Sequence, residues 1–237
     1  MAADRPLLAI LDYGIGNLHS AQKGFEHVGA DARLTADRGL IAAAAGVVLP
    51  GVGAFEPCMD ALVATGLDEA ALAAIAAGTP FMGICIGMQV LYSASEEAPG
   101  RGGLGVFDGV VRLIPGDVKR PQMQWNVLDP RVAHPMFAGL PDEAWVYFVH
   151  SYVAPDGDEV IATCDYGTDL AAAAARDNVW SAQFHPEKSS GNGMRVLENF
   201  VSFTRGPRPG GNPPDKKPPE EKSPGENRPR AERPGEG

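Results

Sequence analysis

Two stretches 100 residues apart carry side chains whose types and spacing could do chemistry. The first is Gly83-Ile84-Cys85-Ile86-Gly87, in the pattern Gly-x-Cys-x-Gly. It is the thiol form of a nucleophile elbow, in which a sharp strand-to-helix turn pushes one side chain out of a sheet. The second is Phe184-His185-Pro186-Glu187. A thiol nucleophile needs a base, and the base needs a group that orients it. Pro186 biases His185 towards an extended conformation, and in an extended chain residues two apart project to the same side. Glu187 is then placed to accept from the imidazole, fix its tautomer and stabilise the imidazolium. The other histidines are His19, His27, His134 and His150. His150 ends a strong strand and is the runner-up base. No third ligand at suitable spacing accompanies His185 and Glu187, so no metal site is expected, and no cofactor.

These residues need a scaffold, and the apolar runs supply one. Leu7 to Leu11, Ala32 to Leu34, Val47 to Leu49 and Phe81 to Ile84 read as short buried strands. Helices are expected over Leu18 to Val28 with Asn17 as cap, over Asp37 to Ala45, over Leu67 to Ala77, and from Gly87 to Ser93 just after the cysteine. That last helix would point free N–H groups and its positive dipole end at the sulfur, a setting in which thiols become nucleophiles. The alternation predicts an α/β fold with a mostly parallel central sheet and helices on both faces. Gly14 and Gly16 give only half of a dinucleotide fingerprint, so a tight turn is expected there. Pro50-Gly51-Val52-Gly53-Ala54-Phe55 ends a parallel strand, where open α/β sheets place ligands, and its N–H groups are free to bind an anion or oxyanion. After Ser95 the pattern turns to short alternating stretches. Leu104 to Leu128 reads as hairpin strands, and Ala144 to His150, Val160 to Cys164, Ala171 to Arg176 and Val179 to Phe184 extend an added antiparallel β region. A helix over Asn192 to Thr204 closes the fold with a broad apolar face.

Composition bounds the rest. The 237 residues suffice for one sizeable core. A net charge of −10 and the absence of a basic run with interleaved aromatics argue against a nucleic-acid surface. Three cysteines, an odd number without metal-ligand spacing, fit a reducing compartment. No apolar run approaches the roughly 20 residues that span a bilayer, and no secretory core precedes the first strand, so a cytoplasmic protein is expected. Residues 206–237 are rich in Pro, Gly and charge and lack aromatic or branched aliphatic residues. A folded domain is expected over 1–205 and a disordered tail beyond it.

The two motifs together resemble those of the class I (triad) glutamine amidotransferases. Asp12-Tyr13-Gly14-Ile15-Gly16-Asn17-Leu18, Pro50 to Phe55, Tyr147-Phe148-Val149-His150-Ser151-Tyr152 and His185 to Ser190 are similar, within that class, to the glutaminase subunits of imidazole glycerol phosphate synthase. The resemblance covers about Leu7 to Thr204. It implies that Cys85 attacks glutamine, His185 transfers protons, and Glu187 orients His185. It further implies an oxyanion hole from backbone N–H groups near Val52, Gly53 and Ile86, and glutamine contacts from Gln89, Glu97, Ser151 and Tyr152. The implied partner is a (β/α)8 cyclase subunit, in a heterodimer, that receives the ammonia and makes imidazole glycerol phosphate and an aminoimidazole carboxamide ribotide in histidine biosynthesis. Tyr147, Lys188, Trp125 and Asn126 match its interface. Gln124 departs from the glycine that often precedes the Trp-Asn pair. A different acceptor synthase, a non-catalytic regulatory subunit and a cysteine peptidase are the alternatives. The Tyr147–Tyr152 and Lys188–Ser190 stretches oppose the first, and the intact triad the second. The partner motifs oppose the third.

Overall fold

A computed structural model of the chain describes residues 5–206. The tail expected over 206–237 lies, Gly206 apart, outside those residues. The first half alternates as its apolar runs predict: β1 (Leu7–Leu11), α1 (Leu18–His27), β2 (Asp31–Thr35), α2 (Arg38–Ala43), β3 (Gly46–Gly51), then α3 (Phe55–Thr65), α4 (Leu67–Ala76) and β4 (Phe81–Cys85). Asp37 caps α2 by accepting from the Leu40 N–H at 2.9 Å. Asn17 stands at the N-cap of α1, but its side chain makes no capping bond. Its ψ of 54° departs from the extended geometry in which a cap side chain reaches the first turn. Helix α3, absent from the sequence expectation, is separated from α4 by Gly66 in the left-handed conformation.

The second half adds α5 (Ile86–Gln89), β5 (Tyr92–Ser95), β6 (Phe107–Leu113), β7 (Gln122–Pro130), β8 (Ala144–His150), β9 (Tyr152–Val153), β10 (Val160–Asp165), β11 (Asp169–Arg176), β12 (Val179–Ala182) and α6 (Ser190–Phe203). Nine strands form one sheet in the order β2-β1-β3-β4-β12-β11-β10-β7-β8. From β2 to β12 the pairing is parallel. From β12 to β8 it is antiparallel. The expected antiparallel region therefore continues the parallel sheet edge to edge, with β12 at the centre and β4 beside it.

Two expectations need correction. The helix expected over Gly87 to Ser93 is the single turn α5, after which Tyr92–Ser95 forms a strand. Gly103 and Val106 draw that segment into irregular pairing: the Ser93 carbonyl accepts from Gly103 N–H, and the Leu91 carbonyl from Val106 N–H. Tertiary hydrogen bonds override the local apolar spacing. The second concerns Leu104 to Leu128. Its two strands do not form a hairpin: β6 joins a small sheet with β5 and β9, while β7 pairs with β8 and β10. Backbone partners for β6 come from β5 before it and β9 after it, so no turn between β6 and β7 is needed.

Strands β3, β4 and β12 are wholly buried, as a sheet covered on both faces requires, while the edge strand β2 is not. Trp180 of β12 stacks on Phe203 of α6 with ring centroids 4.6 Å apart and planes at 12°. Phe200 meets Trp180 and, from α1, Phe25 edge-on. Such pairs add roughly 0.5–1.5 kcal/mol each beyond area burial. They pin α6, and with it the loop that carries His185, to the sheet.

Candidate active site

Cys85 ends β4 with φ 57° and ψ −112°, a left-handed backbone for a residue with a side chain. Such strain costs on the order of 1–3 kcal/mol and persists only where the surroundings enforce it. Here they do. A Cβ on Gly87 would sit 1.8 Å from the Leu49 carbonyl oxygen, and one on Gly83 would sit 2.6 Å from the Gly87 oxygen. The two glycines let α5 fold back against β3 and β4, and Cys85 is left at the crest. Because α5 is one turn, a long-helix dipole is not what faces the sulfur.

His185 lies just past β12, the parallel neighbour of β4. Its φ of −99° and ψ of 96° are extended, as the following proline predicts. Its Nδ1 is 2.8 Å from Glu187 Oε1, and both side chains are at most 3% exposed. Cys85 and His185 line the same cavity, and the Cys85 side chain acts on the imidazole to favour its charged form. Burial, the largest single influence, lowers the imidazole pKa; Cys85 and Glu187 together outweigh it and raise it to about 9. The three groups are thus gathered in one place, with the imidazole tied to the carboxylate. The loop is docked on β8: the His185 N–H donates to the Tyr147 carbonyl at 3.0 Å. The Ser189 hydroxyl donates to the His185 carbonyl at 2.6 Å and accepts from the Tyr147 N–H at 2.9 Å.

A cavity of about 590 Å³ opens over Cys85 and His185. Val52, Gly53, Ile86, Gln89, Glu97, Ser151, Tyr152 and Lys188 line it. Glu97 also accepts from the Phe55 N–H at 2.9 Å, tying its wall to α3. Trp125, Asn126 and Tyr147 stand outside the cavity. Trp125 and Tyr147 are register partners on β7 and β8, with rings 6.1 Å apart and Trp125 45% exposed, so Trp125 is not core. Asn126 projects the other way and donates to the Asp165 carbonyl at 2.7 Å. Gln124, the departure noted in the sequence, is exposed.

The sequence matches the family described as "Glutamine amidotransferase class-I" over residues 9–203. The chain belongs to the class I glutamine amidotransferases. "Imidazole glycerol phosphate synthase subunit HisH" of Syntrophotalea carbinolica is 49% identical over 203 residues, covering 82% of this chain and 98% of the relative. The proteins of the same name from Methanothermobacter thermautotrophicus and Acinetobacter baylyi are 48% and 46% identical, covering 84% and 83% of this chain and 100% and 98% of the relative. Among solved structures, a glutamine amidotransferase aligns with TM-score 0.67 at 18% identity, over 84% of this chain and 98% of that one. PurLQS from Thermotoga maritima aligns with TM-score 0.65 at 18% identity, over 84% and 99%. At that identity the likeness is one of fold.

In this amidotransferase a buried polar chain not foreseen from the sequence ends on Cys85. Gln183 Nε2 lies 3.9 Å from Cys85 Sγ and Gln183 Oε1 accepts from Gln89 Nε2 at 3.0 Å. The Gln89 amide also donates to the Tyr152 carbonyl at 2.9 Å, the same carbonyl that faces His150 Nδ1 at 2.8 Å. His150 Nε2 is 2.9 Å from Gln122 Oε1. Burial pushes the His150 pKa down to about 4; the bond to Tyr152 opposes this, and the charge of His185 adds to it. A ring neutral at pH 7 has one N–H to place between these two oxygens, while Gln122 Nε2 is directed at Cys164 Sγ, 3.7 Å away. His150 is thus a buried link, not the base. Gln183 was findable: it lies two residues before His185 in an extended segment, on the same side. Ser189 had no comparable spacing cue.

Proposed function

We infer that this chain is the glutaminase subunit of imidazole glycerol phosphate synthase, acting in histidine biosynthesis. The observation that carries the chemistry is one cavity lined both by Cys85, on its strained elbow, and by an imidazole whose Nδ1 is held by Glu187. The Cys85 sulfur, its proton passed to His185, attacks the side-chain amide carbon of glutamine. The carbonyl electron pair moves onto oxygen, where N–H groups of the Val52–Gly53 turn and Ile86 receive it. As the C–N bond breaks, the imidazolium returns its proton to nitrogen and ammonia leaves. Water then attacks the thioester, giving its proton to His185. The sulfur departs and glutamate forms. Gln89, Glu97, Ser151 and Tyr152 bind the substrate around this centre. The 45–49% identity to proteins named HisH over nearly their whole length supports the acceptor: a cyclase subunit that takes the ammonia and forms imidazole glycerol phosphate and aminoimidazole carboxamide ribotide. The exposed Trp125 with its half-buried partner Tyr147, and Lys188 at the cavity mouth, form the docking face, and the complex works in the cytoplasm.

Cys85→Ala tests this directly. In the complex, synthesis from glutamine should fall below detection while synthesis from added ammonium continues. Loss of both would mean that the cysteine supports the fold or the docking face instead.

A further inference from the structure

Two buried side chains that the reaction above does not use converge on the turn beside the nucleophile. Tyr13, which follows β1, donates its hydroxyl to the Pro50 carbonyl at 2.5 Å. Cys58, in α3, donates its thiol to the Val52 carbonyl at 3.4 Å. Tyr13 is 4% exposed and Cys58 fully buried. We propose that Tyr13 and Cys58 are positioning residues that clasp the Pro50–Gly53 turn by two alternate carbonyls and so set the direction of the N–H groups offered to the reacting oxygen.

The turn needs such a device. Gly51 pairs with Cys85 across β3 and β4, so the turn starts level with the nucleophile. Gly53 has φ +88° and open space around it, so the local backbone does not by itself confine it. A trans peptide points its carbonyl and the following N–H to opposite sides. Holding the Val52 carbonyl towards α3 therefore turns the Gly53 N–H away from α3. Holding the Pro50 carbonyl fixes the peptide on the other side of Gly51, and Val52 is trapped between two anchored units. The Tyr13 hydroxyl also packs at the edge of Gly51, where an added Cβ would come within 3.0 Å of it. Burial pushes the Cys58 thiol up to about 11 and raises the Tyr13 phenol further, so both keep their protons and remain donors at neutral pH. Tyr13 belongs to the Asp12–Leu18 stretch, whose two glycines resemble half a nucleotide motif; the clasp gives that stretch a use without a nucleotide.

The proposal rests on the reading of Pro50–Gly53 as the oxyanion-binding turn, and the test separates the two. Glutamine hydrolysis is measured in the full chain complexed with its cyclase for Tyr13→Phe, Cys58→Ala, Cys58→Ser and Gly53→Ala. An interaction made only in the transition state lowers kcat and leaves KM nearly unchanged. Tyr13→Phe and Cys58→Ala should each lower kcat about tenfold, a fraction of the 10²–10³ lost with a whole oxyanion donor, with KM within about twofold. Cys58→Ser, which keeps a donor, should recover most of the rate. Alkylation of Cys85 by iodoacetamide forms no oxyanion and should proceed at the parent rate in all four. Full activity in Tyr13→Phe and Cys58→Ala, with Gly53→Ala impaired, overturns the clasp and leaves the oxyanion turn standing. Full activity in Gly53→Ala as well overturns the turn's role itself. Slowed alkylation in the clasp variants would show a disturbed elbow and also overturn the proposal.

Discussion

The chemistry of a single imidazole governs this site. His185 sits where burial alone would strip its proton, yet the Cys85 and Glu187 side chains raise its pKa to about 9. The orienting carboxylate therefore does two things, fixing the ring through Nδ1 and favouring its charged form. Glu187→Gln removes the second and weakens the first. It should lower kcat/KM for glutamine by about 10²–10⁴, the range of general acid–base contributions. The titration midpoint of His185, followed by its ring proton resonances, should fall below about 9. Stability carries the same information. A group whose pKa rises on folding stabilises the fold fully below its unfolded value of 6.5 and loses that contribution as pH rises through about 9. The difference in unfolding free energy between parent and Glu187→Gln should thus be largest below pH 6.5 and shrink across that window. A difference constant with pH would mean that Glu187 does not act through the imidazolium.

At the scale of elements, the strand-to-helix turn is the demanding part. Its strain is held by close approach, so Gly87→Ala drives a Cβ into the Leu49 carbonyl, a backbone atom that cannot swing aside. The expected cost is on the order of 3 kcal/mol or more, in the upper range for single substitutions, which lowers Tm by roughly 6–12 °C in a chain of this size. Gly191→Ala, in the first turn of α6 with no atom within 4 Å of the added Cβ, is the control and should be neutral or slightly stabilising. Calorimetry of both variants checks the contrast. The same turn shows what was legible in the sequence. The glycine bracket, the buried strand and the His185–Glu187 spacing are local patterns, and each carries its own steric or directional reason. The fate of Tyr92–Ser95 is not local: its strand state depends on backbone groups of residues 102–111, which no periodicity within 87–95 encodes. The split of β6 from β7 escaped for the same reason, since register partners lie before and after the pair. Ser189 and Cys58 act through backbone carbonyls and amides, so their partners depend on fold alone.

Across the whole molecule, an aromatic face and the hold on His185 share one strand, β8. Strand β8 ends the large sheet, and its outer edge is taken up by the loop that carries His185: Tyr147 bonds His185 and Ser189, and Asn192 donates to the Trp145 carbonyl at 3.0 Å. Its register partner β7 carries Met123 at 61% exposure and Trp125, and β8 adds Trp145 at 48%. An aromatic, half-exposed face beside a cavity mouth is the kind of surface in which a few anchors dominate binding. The proposed cyclase would press on Trp125 and Tyr147, while the backbone of that same Tyr147 grips His185. Two substitutions separate docking from transmission. Trp125→Ala should weaken the complex by about 1–2 kcal/mol, or roughly tenfold in Kd, with full glutaminase stimulation restored at saturating cyclase. Ser189→Ala leaves the face intact and breaks the hydroxyl bridge between Tyr147 and His185. It should bind the cyclase with unchanged Kd in calorimetric titration, yet reach only a fraction of the parent's stimulated kcat. If Ser189→Ala is stimulated as fully as the parent, the edge of β8 is a support for the loop and not the route by which docking reaches the imidazole.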